Sequence, residues 1–484
     1  MHEEQAASAM EIQYLIALVL VILFISYKLA HTKHHHKNLP PGPRSLPIVG
    51  HFHLLVSKPM HIAIDKFIQK YGPILYLKFG FRPVLVLSSP TALKECFTKN
   101  DIIFANRPQM LLSKFLKTYD SIPMSQYCDC WRNLCRLTTT EIFCTSGLDR
   151  VLGTKPFFGE EEIIDPEEGK DKLDELRSIF LPNKILFGAG DFFPFLKWID
   201  RWTVEKIMMK LFRKRDKFMQ TMIDDVRSRR STSSGLSSTK EDTREERENK
   251  GSMMDVLFTL QEAESEHYTD DVIKGVILVM FGTGIETSTT TMEWAMALLL
   301  NHPEVLKKAT DEIDLNVGYE RLLNESDFVK LPYLQNIIYE TLRMCSLQPF
   351  LAPHESTEDC TIGGYDIPKG TMLLVNQWAL HKDSRVWSEP TMFKPERFEK
   401  GNEENDGIKW IPFGEGRRAC PGDGLAMRTM GMMLGVWIQC FDWERLGGEM
   451  VDMSIGERCI MSKAKPLEAM SKPKAALLNV LSQI

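Results

Sequence analysis

Residues 410–422 read W-I-P-F-G-E-G-R-R-A-C-P-G and constrain this chain more than any other stretch. Phe413, Gly416, Arg418, Cys420 and Gly422 fall at the spacing F-x-x-G-x-R-x-C-x-G. Each residue type suits a thiolate-ligated iron. A cysteine thiolate serves as an axial haem ligand and pushes electron density onto the metal. Glycines let backbone N–H groups approach the sulfur and spread its charge. An aromatic ring shields the sulfur from water, and an arginine pairs with a propionate. A structural cysteine in a Gly-rich turn would be the better reading of a lone cysteine, but the matched positions around Cys420 argue against it.

Other signals stand in a fixed order before this loop. The pattern over residues 270–301 is the longest helical one outside the N-terminus, with Thr269 placed to cap it and Asn301-His302-Pro303 to stop it. Inside it lies F-G-T-G-I-E-T-S, residues 281–288, where two glycines and a run of threonine disfavour a helix. Glu286 and Thr287 supply an acid and an alcohol to a proton relay, although a threonine alone more often bonds its own helix backbone. Glu340 and Arg343 form an E-x-x-R pair on one helix face. That tetrapeptide is nearly uninformative alone and gains weight from Pro395-Glu396-Arg397-Phe398 downstream. An apolar helix over residues 425–441 starts just behind Cys420, and its N-terminal dipole favours the thiolate.

These motifs, spread over nearly the whole chain, resemble the cytochrome P450 family, and within it plant enzymes of the isoflavone 2'-hydroxylase type. The resemblance implies a mainly α cytochrome P450 fold with a small β-rich part near the N-terminus. It implies haem b (iron protoporphyrin IX) ligated by Cys420, and electrons from NADPH delivered by NADPH-cytochrome P450 reductase. It further implies monooxygenation of a small hydrophobic aromatic or phenolic plant metabolite, flavonoid- or isoflavonoid-like. Residue by residue, Trp131, His354, Phe413, Gly416, Arg418 and Gly422 would surround the haem, and Glu286 and Thr287 would serve the relay. Phe350, Leu351 and Ile460, with Cys459 beside it, would meet substrate. Glu340, Arg343 and Arg397 would be structural. Arg132, Arg136, Arg417 and Arg428 would lie near the face that attracts an acidic reductase surface.

Residues 12–30 form an apolar run that is roughly long enough, at about 1.5 Å per residue, to cross a bilayer. Glu3, Glu4 and Glu11 precede it, whereas Lys28, Lys33 and Lys37 follow, with His31 and the His34–His36 trio between. Positive-inside logic then leaves the bulk of the chain in the cytosol, on an uncleaved single-pass anchor of the endoplasmic reticulum. The expected division is an anchor over 1–30, a basic and Pro-rich hinge over 31–45 and a catalytic domain over 46–484. A net charge of -6 gives no reason to expect nucleic acid, and ten scattered cysteines do not read as a disulfide framework. Coarser expectations are a helix over 59–71, strands over 74–79 and 83–87 about Gly80, a helix opened by Ser89-Pro90, and short strands about Gly363-Gly364. Residues 180–198 suit a membrane-facing access region. Residues 204–229 read as helix and the polar stretch 229–251 as a flexible loop.

Two departures from the family pattern bear on haem binding, and a smaller one lies on the central helix. Trp131 opens W-R-N-L-C-R, where the family has W-x-x-x-R, so Cys135 stands where an arginine is expected. Arg132 and Arg136 flank it but point elsewhere on a helix. Thr283 likewise replaces the small residue that opens the family's oxygen-groove motif. The second departure is at Arg150-Val151, where two stretches meet that are separated by several dozen residues in the relatives. Loss of the intervening helices would expose apolar faces of their neighbours, the central helix included. Both keep open an alternative, a catalytically defective or haem-poor membrane-anchored variant of the same family.

Overall fold

The computed structural model describes residues 19–21, 24, 38–55, 59–111, 122–139, 180, 188–236, 253–399, 407–456 and 460–482. Most of the expected anchor, the junction at 150–151 and Cys459 lie outside them.

Helix α1 (Met60–Tyr71) starts after Pro59 and stops at Gly72, whose φ of 102° no other residue adopts easily. It buries Ala63, Ile64 and Ile68 over a four-stranded sheet. Strands β1 (Ile74–Phe79) and β2 (Arg82–Leu87) form the expected antiparallel hairpin, turned at Gly80. The buried run Val84–Leu87 needs a partner on its open edge as well. That partner comes from the second half of the chain: β6 (Met372–Val375) pairs parallel to β2, and β3 (His354–Glu355) closes the sheet in the order β1-β2-β6-β3. The β-rich part is therefore not built from the N-terminal region alone. Strands β4 (Cys360–Ile362) and β5 (Tyr365–Ile367) turn at Gly363-Gly364, and β7 (Phe441–Arg445) pairs with β8 (Ala469–Pro473).

Helix α2 (Pro90–Thr98) is capped by Ser89, and α3 (Asp129–Leu137) carries Trp131 and Cys135. Helix α4 (Val204–Leu236) outruns its expected end into the polar stretch. The physical reason is local: Arg227 pairs with Asp270 and Gln261, while Arg230 reaches Asp255 O and Glu262. Those bonds hold the helix against α5 (Met253–Ala263) and the start of α6 (Asp270–Val279).

The long central helix is observed as expected, with Thr269 at its start and His302 before Pro303 at its end. A π turn, Met280–Gly284, divides α6 from α7 (Ile285–Asn301). Among the described residues, Asp270–Asn301 is the one helix long and apolar enough to cross a membrane. Its second half lies inside the protein, where Met292, Trp294, Ala295, Met296 and Leu298–Leu300 are buried. There it packs with α8 (Pro303–Asn316), α9 (Pro332–Met344) and, beyond the short α10 (Gln377–Lys382), α11 (Asp423–Cys440) around Leu299, Leu334, Ile337 and Leu434.

Candidate active site

The loop that carries Cys420 is shaped by its glycines. Gly414 and Gly416 sit at φ +77° and +71°, a region that L side chains rarely occupy. Gly416–Arg418 makes one tight turn, Ala419 N–H donates to Gly416 O at 3.1 Å, and Cys420 N–H donates to Phe413 O at 2.8 Å. The thiol of Cys420 thus stands immediately before Gly422 and the N-terminus of α11. The residue is reached by solvent, yet the protein packed around its sulfur pushes the thiol pKa up. The Gly422 N–H pulls it back down, and Asp423 raises it. The donor set for a thiolate ligand is therefore present, and a bound cation would complete it.

Beside this loop lies a cluster of buried cations. Arg418 donates from Nε to Ala105 O at 2.6 Å and from Nη2 to Ser125 O at 2.5 Å, and its guanidinium sits 4.1 Å from the centre of the Trp131 ring. Trp131 itself donates from Nε1 to Ile122 O at 3.0 Å. Arg107 donates to Pro123 O, Ala352 O and Pro353 O. His354 is buried, with Nδ1 2.8 Å from Phe104 O. Burial pulls the Arg107 pKa down to about 9, with Arg418 adding to it, and burial pulls Arg418 down to about 10. Burial also holds His354 well below the ordinary histidine range, helped by Arg107 and Arg418. Among the described residues no carboxylate pairs with either arginine. Two buried guanidiniums that repel one another, with only neutral carbonyls as acceptors, call for an anion. A dicarboxylate such as the propionate pair of haem has the charge they lack, so the residues present fit that group.

Arg107 was not legible in the sequence. A single arginine before a proline carries no period or spacing that would single it out. The structure makes the segment from Phe97 to Arg107 one wall of the site. Phe97 stacks edge-on to His354 at 5.8 Å, while Phe104 O, Ala105 O and the Arg107 guanidinium are the contacts already given. Cys135 is also at this site. Burial pushes its thiol up to about 11, and Arg418 works against that shift, which places the two side chains in electrostatic reach. Arg132 is instead paired with Asp129 on the solvent side.

On the central helix, Thr283 Oγ1 donates to Val279 O and Thr287 Oγ1 to Thr283 O, both at 2.6 Å. The two hydroxyls straddle the π turn and cover carbonyls that the widened backbone loosens. Thr283 and Gly284 are exposed, Glu286 and Thr287 half-buried. The helix that carries Glu286 and Thr287 packs on α11, which starts behind Cys420. Ile285 is 51% exposed on α7, and Met433 is 43% exposed on α11.

The residues expected to meet substrate are dispersed. Phe350 is half-buried against the sheet cluster of Leu77 and Leu374. Leu351 is buried beside Phe104, and its Cδ1 lies 4.0 Å from where a Gly414 Cβ would be, close to the Cys420 loop. Ile460 is half-buried, next to Met461, whose N–H donates to Leu347 O and whose carbonyl accepts from Trp294 Nε1.

Glu340, Arg343 and Arg397 come together behind the site. Arg343 grips Glu340 in a fork, at 2.7 Å and 2.8 Å, with both side chains fully buried. Arg397 Nε and Lys394 N–H donate to the same carboxylate at 3.0 Å. Arg343 Nη1 also ties down His381 O and Pro390 O. From α9 an aromatic series runs to the loop: Tyr339 and Phe398 flank Trp410, and Trp410 meets Phe413 at 6.3 Å.

Comparison with known proteins agrees with this geometry. The family profile described as Cytochrome P450 matches residues 40–152 and 156–470. The chain is 42% identical to cytochrome P450 81Q32 of Catharanthus roseus, across 96% of this chain and 98% of that one. It is 36% identical to isoflavone 2'-hydroxylase of Medicago truncatula, across 96% and 98%. It is 39% identical to (+)-piperitol/(+)-sesamin synthase CYP81Q2 of Sesamum radiatum, across 100% and 99%. That last alignment spans 530 positions against the 484 residues of this chain, so the relative carries several dozen residues without a counterpart here.

Proposed function

The chain belongs to the cytochrome P450 family, whose members are haem b monooxygenases fed with electrons from NADPH by a reductase, and on that premise we propose that it hydroxylates a small aromatic or phenolic plant metabolite of the flavonoid or isoflavonoid kind. The observation that carries the reading is the Cys420 loop beside a buried cation cluster that no carboxylate pairs with among the described residues. Cys420 would ligate the iron; Arg107, Arg418 and His354 would meet the propionates, with Trp131 packed under Arg418. The bound haem supplies the activation of dioxygen. The chain itself supplies position, dryness and protons. Gly422 N–H and the N-terminus of α11 would offset the burial of the sulfur and favour its thiolate form once iron is bound. Phe413, whose carbonyl accepts the Cys420 N–H, would shield one side of the sulfur once the haem is in place. Thr287 Oγ1 commits its proton to Thr283 O, which leaves its lone pairs to accept a hydrogen bond from a water that would carry the proton of Glu286. Leu351 and Ile460 would border the substrate.

The substrate class rests on the relatives: one is named for 2'-hydroxylation of isoflavone and another for synthesis of (+)-piperitol and (+)-sesamin. NADPH-cytochrome P450 reductase as partner, and an endoplasmic-reticulum anchor over residues 1–30 with a hinge over 31–45, belong to the same proposal. A second reading is favoured by Cys135, by the break of the family match between 152 and 156, and by the exposed Ile285 and Met433. In it the chain is a haem-poor variant with little turnover.

The deciding experiment is the reduced, carbon-monoxide-bound absorption spectrum of the expressed full chain. The monooxygenase reading expects a thiolate-type band that Cys420→Ser abolishes, and NADPH-dependent product from a phenolic panel once reductase is added. Absence of that band in the wild-type chain overturns the reading in favour of the haem-poor one.

A further inference from the structure

Asp101 stands at the turn where the Cys420 loop changes direction, and no motif points to it. Its side chain is largely buried, at 18% exposure. Oδ1 accepts the backbone N–H of Arg417 at 3.0 Å, and Oδ2 lies 3.0 Å from Arg417 Nε. At Gly416 an added Cβ would meet Asp101 Oδ1 at 2.5 Å and Cγ at 3.2 Å. The carboxylate therefore fills the space that a side chain at residue 416 would take, and the chain wraps it at φ +71°. Asp101 lies in the turn after α2, where Ile103 N–H and Phe104 N–H donate to Asn100 O. That segment also bonds His354 and Arg418 through Phe104 O and Ala105 O. An exposed Asp–Arg pair alone would matter little. A carboxylate that accepts a backbone N–H within a glycine turn fixes the backbone as well as the charge.

We propose that Asp101 is a positioning residue for the Cys420 thiolate: its carboxylate pins the Gly416–Arg418 turn through the Arg417 N–H and so sets where the sulfur stands relative to the Arg107–Arg418–His354 wall. The inference rests on the haem-thiolate reading of this site. The Arg417 guanidinium is secondary to it, because the backbone bond survives when that side chain is changed.

The test uses the full chain expressed with haem, reduced under carbon monoxide, with circular-dichroism melting in parallel. Asp101→Ala is expected to shift at least tenfold the ratio of thiolate-type to other carbon-monoxide complexes, away from the thiolate. Asp101→Asn, whose amide oxygen still accepts the Arg417 N–H, is expected to restore the wild-type band, and Arg417→Gln to keep it. Asp101→Glu retains the charge but cannot reach both nitrogens without moving the loop, so it decides the matter if Asp101→Ala does not accumulate; its thiolate fraction falls too. Wild-type spectra for Asp101→Ala or Asp101→Glu overturn the assignment, as does an Asp101→Asn chain as defective as Asp101→Ala. A wild-type chain lacking the thiolate band refutes the underlying haem reading instead, which separates the two failures.

Discussion

Replacing Glu340 by alanine removes the carboxylate that Arg343 and Arg397 both bind. Arg343 is fully buried and keeps only the carbonyls of His381, Pro390 and Met392 as acceptors. Breaking a buried ion pair from one side costs about 3–5 kcal/mol, because the partner charge stays buried without compensation. Here two guanidiniums lose the same partner, and Lys394 N–H loses its acceptor, which favours the upper half of that range. At about 2.1 cal/mol/K per residue, a domain of this size unfolds with an entropy of order 0.9 kcal/mol/K, so the midpoint should fall by about 4–5 °C. The assay is thermal unfolding of Glu340→Ala, Arg343→Ala and the double variant, followed by far-ultraviolet circular dichroism. The double variant should lose clearly less than the two single losses together, since each single change strands a charge that the other removes. A Glu340→Ala midpoint within about 1 °C of wild type, or strictly additive losses, would refute the reasoning.

Further outcomes follow from the same geometry. His354 and His381 are neutral in the folded chain, burial holding the first well below its ordinary range and the second down to about 3. The unfolded chain protonates both near pH 6.5 while the folded chain does not, so stability is full above that pH and falls on acidification by about 1.4 kcal/mol per pH unit for each; urea titrations between pH 7 and pH 5 check the slope, and a flat profile contradicts it. Arg107→Met removes one of two mutually repelling cations, so the haem-free chain should melt no lower than wild type while haem transfers faster to an acceptor apoprotein. Equal transfer rates would remove Arg107 from the propionate site. Glu286→Gln should keep the carbon-monoxide band and lower product formation by about a hundredfold; unchanged turnover would end the relay assignment.

The motif residues that sit together in space are those with short, fixed spacings. Phe413 to Gly422 are neighbours along one loop, and Glu340 and Arg343 share a helix face, so the sequence sufficed to pair them. The central helix was legible by length, period and caps, though not its π turn, because backbone widening leaves no mark beyond a pair of glycines. Sheet order escaped the sequence because β6 joins β2 across most of the chain, and period-two patterns do not say which edge is met. Position 135 shows the converse case. The spacing rule identified a missing arginine, but which cations remain near Arg418 depends on a turn of chain after α2 that no pattern marks.

By itself, then, the sequence marked the Cys420 loop, the family and the Glu340–Arg343 pair, since each is written in spacings local along the chain. Tertiary structure alone decided the neighbours of that cysteine: Arg107 and Asp101 reach the site because α2 and the segment after it pack against a loop more than half the chain away. Their worth lies in desolvation and in one shared carboxylate or carbonyl, quantities that exist only once the chain has closed.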